Sequence, residues 1–289
     1  MSELIITPSS LEEIELYSKA DGYLLGNSSF CVRYNHSFNN QELVNANKLI
    51  KELKKNIYIN INKIFQEKEI NNLKEYLLFI KELEVDGIFF SDFAVLKLCQ
   101  ELNIDDKCIM YHETYPTNTN DLEVLLSFNL KGVIMSKEVE IETLRNATRF
   151  NNVGMISFGH LEIFNSKRKL LETYKEEHKL NNDLVNSYNV RVKEMTRDNL
   201  YPLFQDKNGT NIFTDFVYSS LKDFKELLNL KMKYFIIDTI FLDRDYVLKV
   251  LNIFNDLRNN LELDLEKFYK ESIYSLGSGF LHLDVGLIK

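Results

Sequence analysis

The chain has 289 residues, enough for one large domain or two small ones. Hydrophobic residues make up 45% and charged residues 27%, so a core can form and disorder is not the main state. The formal net charge of −8 excludes a chain coated in basic residues for binding nucleic acid, though not a local basic patch.

Short apolar runs alternate with longer stretches of helical period. The first run, Leu4 to Thr7, is a predicted strand; LEEIELYSKA follows, with apolar residues at Leu11, Ile14, Leu16 and Tyr17. Gly22 to Gly26 and Ile57 to Ile61 are the next predicted strands. EINNLKEYLLFIKELE then sets Ile70, Leu73, Tyr76, Leu77 and Ile80 on one helical side. Further strands are expected at Asp86 to Ser91, Cys108 to His112, Gly132 to Ser136, Val153 to Phe158 and Tyr234 to Asp238. DLEVLLSFNLK and DFKELLNLKMK read as helices, opened by Asp121 and Asp223 as capping residues. The strand runs are rich in β-branched and aromatic residues and not strictly alternating, the pattern of parallel strands buried on both faces.

Strand–helix alternation over most of the length predicts an α/β protein. Eight strands in this length fit a closed, TIM-like (β/α)8 barrel, expected as a single domain over 1–289. A doubly wound open sheet is the alternative, but it usually carries a glycine fingerprint after the first strand, and TPSSLEE is not one. The rhythm breaks near residues 175–213. There Asn208-Gly209, between FQD and TNIF, signals a hairpin, so an inserted β-hairpin or small subdomain is expected. Gly and Pro are scarce while Asn, Lys, Ile, Tyr and Phe are plentiful. This matches AT-rich codon usage, so the scarcity says little about turns.

The three cysteines, Cys31, Cys99 and Cys108, include no CxxC pair. That excludes a disulfide scaffold and a self-contained four-cysteine zinc or iron–sulfur site. Cys99 reads as a core filler and Cys108 as a strand opener, while Cys31 is either a buried thiol or a pocket residue beside Arg33. No apolar run approaches the roughly 20 residues needed to span a bilayer. The acidic N-terminus lacks a basic region followed by a long apolar one. No membrane association is expected, and the cytoplasm is the expected location.

In such barrels chemistry sits at the C-terminal ends of the strands. Those positions carry Arg33, Asn60 and Asn62, Asp92, His112 and Glu113, Lys137 and Glu138, His160, and Asp238. Two readings stand: a functional mouth, or ordinary polar loops. His112-Glu113-Thr114-Tyr115-Pro116 starts like HExxH but has proline in place of the second histidine, so a zincin is not expected. Neither GxSxG nor a phosphate loop occurs. Lys167-Arg168-Lys169, after Ser166, is the densest basic cluster near a strand end; it could grip a phosphate or carboxylate, or simply start a solvated helix.

FGHLEIFNSKRKLLETY resembles the signature region of the peptidase U32 family, also called collagenase-like peptidases, with Gly159-His160 in reverse of the family's order. SSFCVRY is similar to its F-S-x-R block, keeping Phe30 and Arg33. VDGIFFSDFAVLKL resembles the block around a strand-end aspartate, here Asp92. The following strand–helix–strand has Lys137-Glu138 where the family has Arg-Glu. VKEMTRDNLYPLFQDKNGTNIF keeps Arg197, Tyr201-Pro202, Asp206 and Asn208-Gly209-Thr210, whereas YFIIDTIF keeps only Ile237-Asp238 of the family's K-I-D-G element.

The resemblance implies a short member without cluster-binding cysteines, the partner of a longer U32 protein. That pair is associated with prephenate-dependent 5-hydroxylation of the wobble uridine of tRNA. It follows that this chain alone binds no cofactor, that prephenate is a candidate donor substrate, and that an iron–sulfur cluster would belong to a partner. That partner is expected to be the longer U32 protein, with a homodimer as the other arrangement and tRNA as a candidate ligand. The expected catalytic residues are Asp92, Glu138 and His160. The expected substrate-binding residues are Arg33, Asn60, His112, Glu113, Ser166, Lys167, Arg168, Arg197 and Asp238, with no metal ligands. A U32 peptidase and a non-catalytic scaffold for the partner are the alternatives.

Overall fold

The computed structural model describes residues 2–180, 184–196 and 198–283. The apolar runs become strands that pair with equally apolar neighbours on both sides. They are β1 (Glu3–Ile6), β2 (Gly22–Gly26), β3 (Asn56–Ile61), β4 (Gly87–Phe90), β5 (Cys108–Tyr111), β6 (Gly132–Ile134) and β7 (Val153–Gly159), each parallel to the next. The chain then leaves through β8 (Glu162–Ser166), β9 (Arg191–Lys193), β10 (Leu200–Asp206) and β11 (Gly209–Phe213). It rejoins through β12 (Val217–Ser219), antiparallel to β7. The eighth barrel strand, β13 (Tyr234–Ile237), sits between β7 and β1 and closes the ring, Phe235 facing Met155 and Ile236 facing Ile5. A short β14 (Leu276–Gly277) pairs with β12. All eight expected barrel strands are present, and the closed barrel replaces the open-sheet alternative.

Helices α1 (Leu11–Leu16), α2 (Asn40–Glu52), α3 (Ile70–Glu82), α4 (Phe93–Leu102), α5 (Thr119–Leu126) and α6 (Ile141–Ala147) follow the first six strands. Past the excursion carrying α7 (Leu170–Glu177), α8 (Phe224–Asn229) and α9 (Arg244–Arg258) complete the outer layer, and α10 (Leu265–Glu271) follows. Two expected caps are corrected. Asn118, not Asp121, caps α5, accepting from the Asn120 and Asp121 amides at 3.0 Å; Asp121 lies one turn in. Asp223 precedes α8 but has helical backbone angles, so its carboxylate cannot turn back onto the first amides and meets His282 at 3.1 Å instead.

The inserted piece is larger than residues 175–213. It starts at β8 and forms a four-stranded sheet in the order β8-β11-β10-β9. The hairpin expected at Asn208-Gly209 joins β10 to β11, with Asp206 opposite Gly209. Gly209 has φ +138°, and a Cβ there would lie 2.1 Å from the Ser166 carbonyl oxygen, so the turn tolerates no side chain. Phe204, Phe213 and Ile240, with Tyr34, Tyr188 and Phe241, make a small apolar cluster that fixes this sheet to the barrel.

At the N-terminal end of the strands the barrel is stoppered by aromatic rings. Tyr58 of β3 reaches across to Tyr234 of β13, ring centroids 6.5 Å apart, and Phe89 lies edge-on to Tyr58 at 5.5 Å. Both tyrosines are buried. Room for them comes from glycines near the strand starts. A Cβ on Gly22 or Gly87 would lie 2.6 or 2.8 Å from the Tyr58 ring, and one on Gly132 2.5 Å from the Tyr234 ring. A Cβ on Gly154 would meet the Tyr234 Cβ at 2.4 Å. Asn56 donates to the Glu3 carboxylate at 2.8 Å and the Tyr58 hydroxyl also donates to it, so the stopper's polar edge is satisfied.

Candidate functional site

At the opposite end the loop after β2 runs inward, anchored where the Val32 amide donates to Asn62 Oδ1 at 2.8 Å. This brings Arg33 (φ +56°) over the barrel axis. Its guanidinium forms an ion pair with Glu113, from the loop after β5, and its Nε lies 3.6 Å from Glu162 of β8. Lys137 Nζ lies 2.8 Å from the other Glu113 oxygen and also donates to the Glu162 carbonyl. Asn211 donates to the Glu162 carboxylate. Two cations and two carboxylates are thus neutralised together with side chains no more than 10% exposed. Burial alone would raise the pKa of Glu113, but Arg33 and Lys137 hold it below the usual carboxylate range. The Lys137-Glu138 dipeptide does not supply a local ion pair: Lys137 reaches Glu113, and Glu138 is exposed.

Above this cluster lies an open basin of about 460 Å³, lined among others by Arg33, His112, Glu113, Glu162, Lys68, Lys167 and Lys207. Lys207 donates to Ser29 Oγ at 3.0 Å, and Lys167 lies 3.5 Å from the Ile64 carbonyl. Lys68, Lys167 and Lys207 have no carboxylate partner among the described residues, so the basin is locally positive in a chain of net charge −8. Burial lowers the pKa of His112, with Glu113 opposing and Arg33 adding to the shift.

Below Arg33 a smaller cavity of about 20 Å³, room for a water, is lined by Asn60, Tyr111, Asp238 and Cys31 among others. The Asn60 Oδ1 is buried without a partner among the described residues. Asp238 accepts from Ile240 N at 3.1 Å and from Thr7 Oγ1 at 3.2 Å. Its pKa is raised to about 6, chiefly by burial. Burial also pushes the Cys31 thiol up, which disfavours a thiolate nucleophile.

Of the expected site residues, the structure gathers Arg33, His112, Glu113 and Lys167 around the basin, and Arg33, Asn60 and Asp238 around the cavity below it. The others are placed differently. Asp92 caps α4, accepting from Ala94 N at 2.9 Å, and ties down the rim by accepting from Phe65 N at 2.8 Å. His160 is buried, with Nδ1 2.8 Å from the Thr214 carbonyl and its ring edge-on to Phe241. Burial lowers its pKa, against the hydrogen bond to Thr214. Ser166 Oγ accepts from Arg168 N at 3.2 Å. The chain bends after Ser166, so Lys167 lines the basin while the neighbouring Arg168 is exposed outside it. Lys169 pairs with Glu172 at 3.2 Å. Arg197 lies outside the described residues.

Glu162 was not among the expected residues. Its one signal is its position two residues after His160 in the FGHLEIF segment. The three thiols do not all converge: Cys99 and Cys108 lie together at one end of the barrel, where Cys108 opens β5, whereas Cys31 is at the mouth. An iron–sulfur cluster, which takes about four cysteine ligands, therefore does not fit this chain alone.

Fold and site define a TIM-type barrel with a buried ion-pair cluster under a lysine-rimmed basin at its C-terminal mouth. The chain belongs to peptidase family U32, whose model matches residues 11–276. It is 25% identical over 261 residues to tRNA hydroxylation protein P2 of Bacillus subtilis, covering 88% of this chain and 84% of that protein. It is 27% identical over 129 residues to an uncharacterised protease of Methanocaldococcus jannaschii, covering 44% of this chain and 30% of that protein. A solved U32 peptidase superposes with a TM-score of 0.51 at 11% identity, covering 82% of this chain and 92% of that one.

Proposed function

We propose that this protein is a subunit of a tRNA-hydroxylation system, acting in prephenate-dependent 5-hydroxylation of the wobble uridine. Its basin takes the anionic part of a substrate, an RNA phosphate or the carboxylates of the donor. The observation that carries this reading is the set of Lys68, Lys167 and Lys207 around one concavity, without carboxylate partners among the described residues, in an acidic chain. Each charge-assisted contact in a partly desolvated cleft contributes about 1.5–3 kcal/mol. Arg33, by contrast, is already neutralised by Glu113 and Glu162, so its role is to shape the floor of the basin rather than to bind a free anion.

Similarity to a tRNA hydroxylation protein over most of both chains supports the reading. With three thiols in all, and Cys31 apart from Cys99 and Cys108, the chain falls short of about four cluster ligands, which supports assigning any iron–sulfur chemistry to a longer U32 partner. The test is nucleoside mass spectrometry of tRNA from a strain lacking the chain, complemented with wild type, Lys167→Ala/Lys207→Ala or Arg168→Ala. The expected result is loss of 5-hydroxylated wobble uridine in the deletion, at least about tenfold less with the double variant, about one decade per 1.4 kcal/mol, and little change with Arg168→Ala. Unaltered modification in the deletion would refute the proposal.

A further inference from the structure

A second groove, of about 610 Å³, adjoins the basin and shares Lys63, Glu69, Lys207 and Asn208 with it. Its wall is aromatic. Phe30 lies flat on Tyr76, centroids 3.9 Å apart and planes 6° apart. Phe65 stands 6.5 Å from Phe30, and Phe79 stands 6.1 Å from Tyr76. Phe30, Phe65 and Phe79 are each part-exposed, and Lys63 Nζ sits 5.5 Å from the Phe65 centroid.

We infer that this groove stacks an unpaired nucleobase of an RNA whose neighbouring phosphate lies on the basin lysines. The inference rests on the RNA form of the function proposed above and adds a subsite to it. Aromatic faces beside cations are the combination that holds single-stranded nucleic acid, since every base has a π-face and every nucleotide a phosphate. The groove's own lysines, Lys63 and Lys207, are matched in number by Glu69 and Glu75, while the adjoining basin adds Lys68 and Lys167, so the positive excess lies where a phosphate beside a stacked base would reach. Lys63 is balanced by Glu69 at 2.5 Å, whereas Lys207, on the wall common to both concavities, has no carboxylate partner among the described residues. A base in the groove therefore places its own phosphate toward that lysine. Asn208 is held by Asp206 and Ser28 at 2.9 and 2.8 Å, which keeps the shared wall rigid. Double-stranded RNA presents no free base face and gains nothing from the groove.

The test measures binding of the full chain to a short RNA stem–loop carrying 2-aminopurine in its loop and to a blunt RNA duplex of similar composition. Wild type should quench the loop fluorescence. Phe65→Ala should weaken stem–loop binding by about 5- to 150-fold and leave duplex binding unchanged. Phe65→Leu, which keeps apolar bulk, should also lose the quenching, and Phe65→Tyr should retain it. Circular dichroism melts confirm that each variant is folded. Stem–loop binding that is indifferent to folded Phe65→Ala, yet weakened by Lys167→Ala/Lys207→Ala, overturns the stacking subsite and leaves the RNA reading standing. Failure of wild type to bind either RNA at low salt overturns both. Phe65-dependent capture of a phenylalanine-rich peptide without RNA binding overturns the inference in favour of a peptide groove.

Discussion

Replacing Glu113 by Gln should destabilise the fold severely, and a second substitution should restore much of the loss. Glu113 stands between Arg33 and Lys137, with Lys137 Nζ at 2.8 Å. At an effective dielectric of about 20, unit charges about 4 Å apart attract by about 4 kcal/mol. Taking those charges out of water costs several kcal/mol per ion, so the intact cluster contributes little net stability. The variant is different: the Glu162 carboxylate then faces Arg33 alone and Lys137 keeps only the Glu162 carbonyl, leaving one excess buried positive charge. Breaking such a pair costs about 3–5 kcal/mol, against a total folding free energy of about 5–15 kcal/mol.

Lys137→Met in the Glu113→Gln background removes the excess charge and should recover at least about half of the loss, a coupling well beyond the additivity expected of distant sites. Urea unfolding of wild type, both single variants and the double variant measures the cycle. A Glu113→Gln protein within about 1 kcal/mol of wild type, or strictly additive effects, would falsify the reading of this cluster as a mutually neutralising unit. The pH dependence has a definite sign. The folded pKa of Glu113 lies below its ordinary 4.5, so its stabilisation is complete above that value and is lost as pH falls through the depressed folded value.

Asp238 works in the other direction, because its folded pKa is raised from 3.8 to about 6. Its charged form therefore costs stability above about pH 6, and the cost fades as pH falls toward 4; part of the side chain opens on the small cavity, so Asp238→Asn should gain about 1–2 kcal/mol near pH 7.5 and markedly less at pH 5. A gain that does not change with pH refutes the assignment. Asp92→Ala removes a helix cap and the tether to Phe65 N, and should cost about 1–2 kcal/mol in a thermal melt, with wobble modification falling by far less than the roughly 100-fold or more expected of a lost proton-transfer residue. Gly154→Ala forces a Cβ against Tyr234 and should cost at least about 1–3 kcal/mol of overpacking; wild-type melting of this variant would contradict the packing described at that end of the barrel.

The barrel was legible because its strands are buried on both faces and so stand out as unbroken apolar runs. Strand-end reading also put His112, Glu113 and Asp238 at the mouth, where the structure has them, since a polar residue straight after such a run must lie there; Arg33 reaches it from the loop seven residues beyond β2. What it missed is non-local. The Arg33–Glu113 pair spans 80 positions, and Glu162 sits on a strand that belongs to the insertion rather than to the barrel. Side-chain direction was also invisible: Lys167 and Arg168 are adjacent, yet only the first lines the basin. Asp92 shows that one signal can carry two meanings, because an aspartate after a strand and before FAVLKL reads equally as a mouth carboxylate and as a cap. Glycine scarcity, attributed to codon usage, concealed a packing requirement: four of the 10 glycines sit against Tyr58 and Tyr234.

Those two rings also bar the N-terminal end of the barrel as a way in. The cavity of about 20 Å³ beneath Arg33 has room for a water and nothing larger, so a substrate rests on the ion-pair cluster and does not pass below it. The barrel is therefore a foundation and not a conduit: whatever the protein receives meets it from one side, on a floor that is not crossed.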